Sequence, residues 1–255
     1  MENKLNITLP ERWEQLTEKQ LHDWFAMILL YGSSAAAKVA CALKWSGLRV
    51  ESCPDGKNPE WTLSKGRLKQ KKYYRITESQ VGLIASALDW TDRGPARPVR
   101  PARIGRRTAV DALFHNVPFG RFIAAESGYQ GFLQTRETPP LDVLTDVLYQ
   151  PMEQALTTEQ REMARVVAVW WWQALKSYLT DNFPNLFKPA GDYENDFGPL
   201  DAARRFRDSI NTQMRALTKG DVSKEAEIEK IDTWRALTEL DAQARDYEEM
   251  KSRMK

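Results

Sequence analysis

Cysteine and histidine are scarce in this 255-residue chain, with two of each. So few argue against a disulfide-stapled framework, and Cys41 and Cys53 fit a reducing compartment. His22, beside Asp23 and Trp24, and His115, beside Asn116, have no further Cys, His or carboxylate at metal-ligand spacing. Both read as ordinary surface or internally satisfied side chains. Charge of one sign is also lacking: 37 Lys plus Arg stand against 35 Asp plus Glu, a net charge of +2. That balance gives no global case for nucleic acid or an anionic membrane, so local patches must carry any such argument. No apolar run of about 18 residues occurs, which predicts no membrane-spanning helix. The opening Met1-Glu2-Asn3-Lys4-Leu5 lacks the basic-then-apolar order of a signal peptide, and a cytoplasmic protein is expected. No G-x-S-x-G elbow, phosphate-cradling glycine loop or His-Glu-x-x-His helix is found. An enzyme is therefore the least supported class, with no catalytic residue, metal or cofactor assigned. Asp192, Glu194 and Asp196 fall in a Gly/Pro-rich stretch and read as solvated.

What is present is apolar substance and helix punctuation. At 42% hydrophobic residues the chain can bury a sizeable core, as one unit or two. Thr17-Glu18-Lys19-Gln20, Thr77-Glu78-Ser79-Gln80 and Thr157-Thr158-Glu159-Gln160 each match the capping box, and each follows an aliphatic residue, Leu16, Ile76 or Leu156. Three helix starts are predicted there. After the first, Leu21, Trp24, Phe25, Ile28 and Leu29 recur at helical spacing, and Gly32 divides them from Ala36, Val39, Ala40 and Leu43. Between Gly47 and Arg75, turn residues separate Leu48-Arg49-Val50, Trp61-Thr62-Leu63 and Lys72-Tyr73-Tyr74-Arg75-Ile76, which suit a small antiparallel meander acting as a flap on a helical body.

Residues 93–107 read RGPARPVRPARIGRR, with six Arg and with Pro95, Pro98 and Pro101 at every third position. Such spacing favours extended chain and marks a linker. Helix resumes through Val110, Leu113, Phe114 and Val117, then Phe119, Phe122 and Ile123; a loop is expected through Gly128-Tyr129-Gln130-Gly131. Pro139-Pro140 opens another helix that Pro151 closes. Trp170, Trp171 and Trp172 cover too much of a helix circumference for one core, so at least one belongs on a second surface. In the tail, Leu200, Ala203, Phe206, Ile210, Met214 and Leu217 form one stripe, and Trp234, Leu237, Leu240, Ala244, Tyr247 and Met250 form another, opened by Asp232 as N-cap. The expected fold is mainly α, a multi-helix domain with an inserted antiparallel β meander and a C-terminal helical hairpin. Its expected segments are 1–92 (helical with the meander), 93–107 (Arg/Pro linker), 108–190 (central helical) and 191–255 (hairpin or arm).

Four phrases carry a resemblance. Leu9-Pro10-Glu11-Arg12-Trp13-Glu14-Gln15-Leu16-Thr17-Glu18-Lys19-Gln20 resembles the Pro-x-x-Trp-x-x-Leu-Thr-x-x-Gln start of tail-assembly-chaperone-type proteins of tailed bacteriophages and prophages. Phe119-Gly120-Arg121-Phe122-Ile123-Ala124-Ala125-Glu126 is similar to their Phe/Tyr-Gly-x-Phe-Ile-x-x-Glu segment, and Leu148-Tyr149-Gln150-Pro151 to their Leu-Tyr-x-Pro helix end. Residues 214–222 are similar to C-terminal segments of prophage proteins of gut Bacteroidetes. The resemblance implies a non-catalytic factor of tail morphogenesis in the host bacterial cytoplasm, holding a tape-measure-like tail protein, or a second copy of itself, through apolar helical surfaces. Trp234, Leu237, Leu240 and Tyr247 are the expected contacts, with Trp172 second. A structural virion or neck component is a neighbouring role. A nucleic-acid-binding factor using Arg97, Arg100, Arg103, Arg106 and Arg107, with the basic run Lys65, Arg67, Lys69, Lys71, Lys72 and Arg75 in support, is the alternative; the bland reading of that Arg/Pro stretch is a solvated linker.

Overall fold

The computed structural model describes residues 5–55, 57–67, 70–187 and 199–254, with side chains from 208 onward in the last stretch. Mainly α is correct: helices dominate, with two small three-stranded antiparallel sheets. The chain divides into two compact units, Met1–Pro95 and Ala96–Lys255.

Unit 1 begins with a 3-10 turn, Trp13–Gln15, followed by α1 (Glu18–Tyr31) and α2 (Ser34–Trp45). Thr17 accepts from the Gln20 backbone N–H while the Gln20 side chain accepts from Thr17 N, completing the capping box. Gly32 ends α1 at φ 60, a left-handed C-cap that a β-carbon would strain. Then β1 (Leu48–Ser52), β2 (Glu60–Lys65) and β3 (Lys72–Thr77) pair in that order. Leu63 stands opposite Val50 on one side and Tyr74 on the other. The sheet is no flap: Leu48, Leu63 and Ile76 close one core with Leu43 of α2 and Val81 of α3 (Glu78–Ser86). A second cluster stacks Trp13 edge-on against Trp24 at 5.8 Å and Trp90 at 5.2 Å, with the Trp13 indole donating to Arg93 O and that of Trp90 to Pro10 O. Lys38 of α2, largely buried, is held by Asp89 at 2.7 Å and Asp92 at 2.5 Å.

Unit 2 opens with the Arg/Pro stretch, which is not a linker past Pro95. It forms a hairpin of β4 (Arg103–Ile104) and β5 (Arg107–Ala109), turning at Gly105 with φ 58, and β5 pairs further with β6 (Tyr149–Gln150). The Tyr149 hydroxyl donates to Pro101 O. Residues 110–118 are not helical, contrary to expectation. Phe114 and Asn116 sit at φ 66 and 57 while Asp111 accepts from the Leu113 and His115 N–H groups, a local cap that competes with helix. Helix α4 (Phe119–Thr135) then runs straight through the expected loop at 128–131. Those glycines serve contact: a β-carbon on Gly128 would stand 2.8 Å from Pro140 O and 2.9 Å from Leu144 N of α5 (Pro139–Leu148). The two backbones approach too closely there for any side chain.

The third capping box starts α6 (Thr158–Asn182), whose Ala164, Val167, Ala168, Trp171, Trp172 and Leu175 are buried. Phe114 packs on Trp172 at 5.4 Å and on Trp171 at 6.4 Å. The tail is no free arm. Helices α7 (Pro199–Thr218) and α9 (Thr233–Arg253) pack on α4 and on each other, linked through a 3-10 turn and the short α8 (Glu225–Ile228). Asp232 caps α9 through Arg235 N and also accepts from Asn116 N, and Thr233 donates twice to Val117 O. The acidic Asp192, Glu194 and Asp196, and the stripe side chains Leu200, Ala203 and Phe206, lie outside the described residues.

Candidate functional site: an apolar groove on the helical unit

Most of the residues expected to meet a partner are spent inside unit 2. Trp172 and Leu237 are fully buried, and Leu240 is nearly so. The Trp172 indole donates to Glu126 Oε2 at 2.7 Å, and Glu126 also takes the Lys176 ammonium at 2.6 Å and the Gln130 amide at 2.8 Å. This buried carboxylate, the last residue of the Phe119–Glu126 phrase, ties α4 to α6. Trp234 is half-buried; its indole donates to Leu113 O, and its ring stacks on His115 at 4.5 Å. Tyr247 alone of the five is well exposed. The α9 stripe that looked free in sequence is covered from inside unit 2, by α7, by α4, by Leu113 and His115 and by Tyr178 and Phe183 at the end of α6, while Trp172 of α6 is closed over by Phe114 and Phe122.

The arginine set divides as well. Arg107 is 3% exposed; it pairs with Asp146 and donates to Gln154 O at 2.7 Å and Met152 O at 2.6 Å. Arg100 donates twice to Val110 O and lies 5.1 Å over the Trp171 ring. These two hold the fold and are not free to grip phosphates. Arg97, Arg103 and Arg106 are exposed. Of the supporting basic run, Lys69 lies outside the described residues.

The outward tryptophan is Trp170. With Trp171 and Trp172 buried, Trp170 turns to a second surface and, half-buried, lines a groove of about 400 Å³ between α4, α5 and α6. Phe132, Leu141, Val166 and Val169 supply its other apolar walls. The charged residues at its edge neutralise one another. Arg165 reaches Asp142 with two hydrogen bonds, 2.9 and 2.8 Å, and Glu162 with a third at 2.6 Å. The hydrogen bond from Arg165 is the main reason the Asp142 carboxyl is held below the usual carboxylate range. The signal for this groove was legible: Val166, Val169, Trp170 and Gln173 follow steps of three, one and three, a stripe offset from the buried one.

Cys41 and Cys53 are both free; burial pushes the Cys41 thiol up to about 12, too high for a reactive thiolate. Among the described residues no group of three or more His, Cys, Asp or Glu is placed to hold a metal ion, and no helix is long and apolar enough to cross a membrane. No family model, curated protein or solved structure matches the chain.

Proposed function

We propose that the protein is a non-catalytic factor of phage or prophage tail morphogenesis that holds an apolar helix of a tape-measure-like tail protein. The observation that carries this reading is the α4, α5 and α6 groove, whose walls are aliphatic and aromatic and whose edge charges are internally paired. A groove of that kind accepts an uncharged apolar helix face, since a charged one would lose hydration without gaining a counter-ion. Binding of this type protects an aggregation-prone helix by mass action, and tryptophan is among the side chains enriched at the centre of such contacts. The resemblance of the Leu9–Gln20 and Phe119–Glu126 phrases to tail-assembly-chaperone-type proteins supplies the biological setting. Exposed Tyr247 stays as a peripheral contact in this proposal, and Trp172, Leu237 and Leu240 are withdrawn from it. The same chain remaining in finished particles would make it a virion or neck component.

Co-purification of the tagged full chain from phage-producing cells tests the proposal, with Val169→Asp as the paired variant. Tail protein should come down with the parent chain, be lost with Val169→Asp at unchanged circular dichroism, and the bait should be absent from particles. Nuclease-sensitive nucleic acid without tail protein would replace this reading with the nucleic-acid one.

A further inference from the structure

Unit 1 carries a second concavity with different chemistry. It is an open groove of about 730 Å³ bounded by the ends of α1 and α2, strand β1 and the end of β2. Its floor continues the unit's core outward through Leu43 and Leu48, which are buried, to Met27, Tyr31 and Val50. Tyr31 is 50% exposed and Val50 45%, and the neighbouring Leu30 reaches 69%. Water therefore touches a continuous apolar strip where a finished core would end in polar residues.

The rim of this strip is cationic. Arg49, Lys65 and Arg67 line it, and among the described residues none has an ion-pair partner within reach; Lys65 donates only to the neutral Asn6 O at 3.3 Å, and the carboxylate near Arg49, that of Glu51, is already held by Lys71 at 2.8 Å. Lys44, which also lines the groove, is already matched by Asp23 at 2.7 Å. Register adds a second observation. Lys65 stands directly opposite Lys72 across the β2–β3 pair, and like charges in that position destabilise a sheet. An anion from outside would relieve the repulsion that the unit itself leaves in place.

The geometry points to this groove as the docking site of an acidic amphipathic peptide, a segment whose apolar side chains fill the strip from Leu48 to Tyr31 while flanking carboxylates meet Arg49, Lys65 and Arg67. Single-stranded nucleic acid fits less well, because it needs stacking rings and this floor is chiefly aliphatic. The site lies on a different unit from the Trp170 groove, and each stands or falls alone.

The test is fluorescence anisotropy of the full chain with three labelled probes: a synthetic amphipathic helix with a Leu/Phe stripe and Glu flanks, the same stripe with Lys flanks, and a single-stranded oligothymidine. The Glu-flanked peptide should bind best and weaken as salt rises. Combined Arg49→Glu and Arg67→Glu should weaken it by about tenfold or more, and Val50→Ser should weaken it independently, both at unchanged thermal unfolding. Equal binding of the Lys-flanked peptide, or no peptide binding at all, overturns the assignment. So does oligothymidine binding that charge reversal abolishes and Val50→Ser leaves intact.

Discussion

Arg106 and Arg107 are adjacent and chemically identical, yet the fold uses them in opposite ways. Arg106 occupies the exposed turn of the β4–β5 hairpin, whereas Arg107 points inward and fills three acceptors with one guanidinium. Replacing Arg107 by Lys keeps the charge but loses the planar fork, leaving the Met152 and Gln154 carbonyls short of donors. We expect Arg107→Lys to lower the stability of unit 2 by about 2–3 kcal/mol in urea unfolding, since the group is buried and each stranded acceptor carries a desolvation cost. Arg97→Ala and Arg106→Ala should stay within about 0.5 kcal/mol. Equal small effects at all three positions would return the stretch to a solvated linker. Residue-scale roles of this kind were hidden in the sequence, because which arginine turns inward depends on hairpin register, and Asp146 lies far along the chain from Arg107.

At the scale of elements, the helix starts were legible and the local Asp111 cap was not. All three capping boxes formed at the predicted Thr–Gln pairs, and Asp232 caps α9, because each cap is satisfied within three residues of itself. What failed depended at least in part on a neighbouring element: the 110–118 segment is held by the Asp111 cap and also by Asp232 and Thr233 from much later in the chain, and Gly128 is a helix contact and not a loop signal. The α5–α6 junction gives a pH prediction. Asp142 is held below its ordinary range chiefly by the hydrogen bond from Arg165. A carboxylate depressed in the folded state contributes stability that is present above its unfolded value of about 3.9 and is lost as pH falls through the lower folded value. The side chain is 30% exposed, so the contribution is modest. Urea midpoints should therefore fall more steeply below about pH 4 in the parent than in Asp142→Asn, and the two curves should converge at the acid end. Parallel curves would remove Asp142 from the acid response.

For the whole molecule, sequence patterning identified a mainly helical protein, and the division between its two units falls at Pro95, inside the 93–107 stretch, but it left open what the C-terminal helices pack on, because amphipathic stripes state how much apolar surface a helix must bury and not which surface covers it. The C-terminal region shows the consequence. Read as an arm, it could be removed without harm to the body. In the fold, Ala236, Leu237, Leu240 and Met214 are buried, the Phe119 and Gly120 N–H groups donate to Ile231 O and Glu229 O, and Asp241 caps the Asn185 and Leu186 N–H groups at the end of α6. Losing two buried leucines alone is worth about 4–10 kcal/mol, comparable to the whole stability of a domain. Deleting 199–255 is thus expected to abolish cooperative unfolding of unit 2 and expose dye-binding apolar surface, while the unfolding of unit 1 persists. Any loss of partner binding in that variant reports a lost fold. The informative deletion is 246–255, whose described residues, 246–254, are all exposed, Tyr247 and Met250 among them, and it should leave thermal unfolding unchanged within a few degrees. Tail-protein capture that survives this short deletion but is lost with Val169→Asp places the contact in the α4, α5 and α6 groove. Capture lost with the short deletion at full stability moves it to the end of α9.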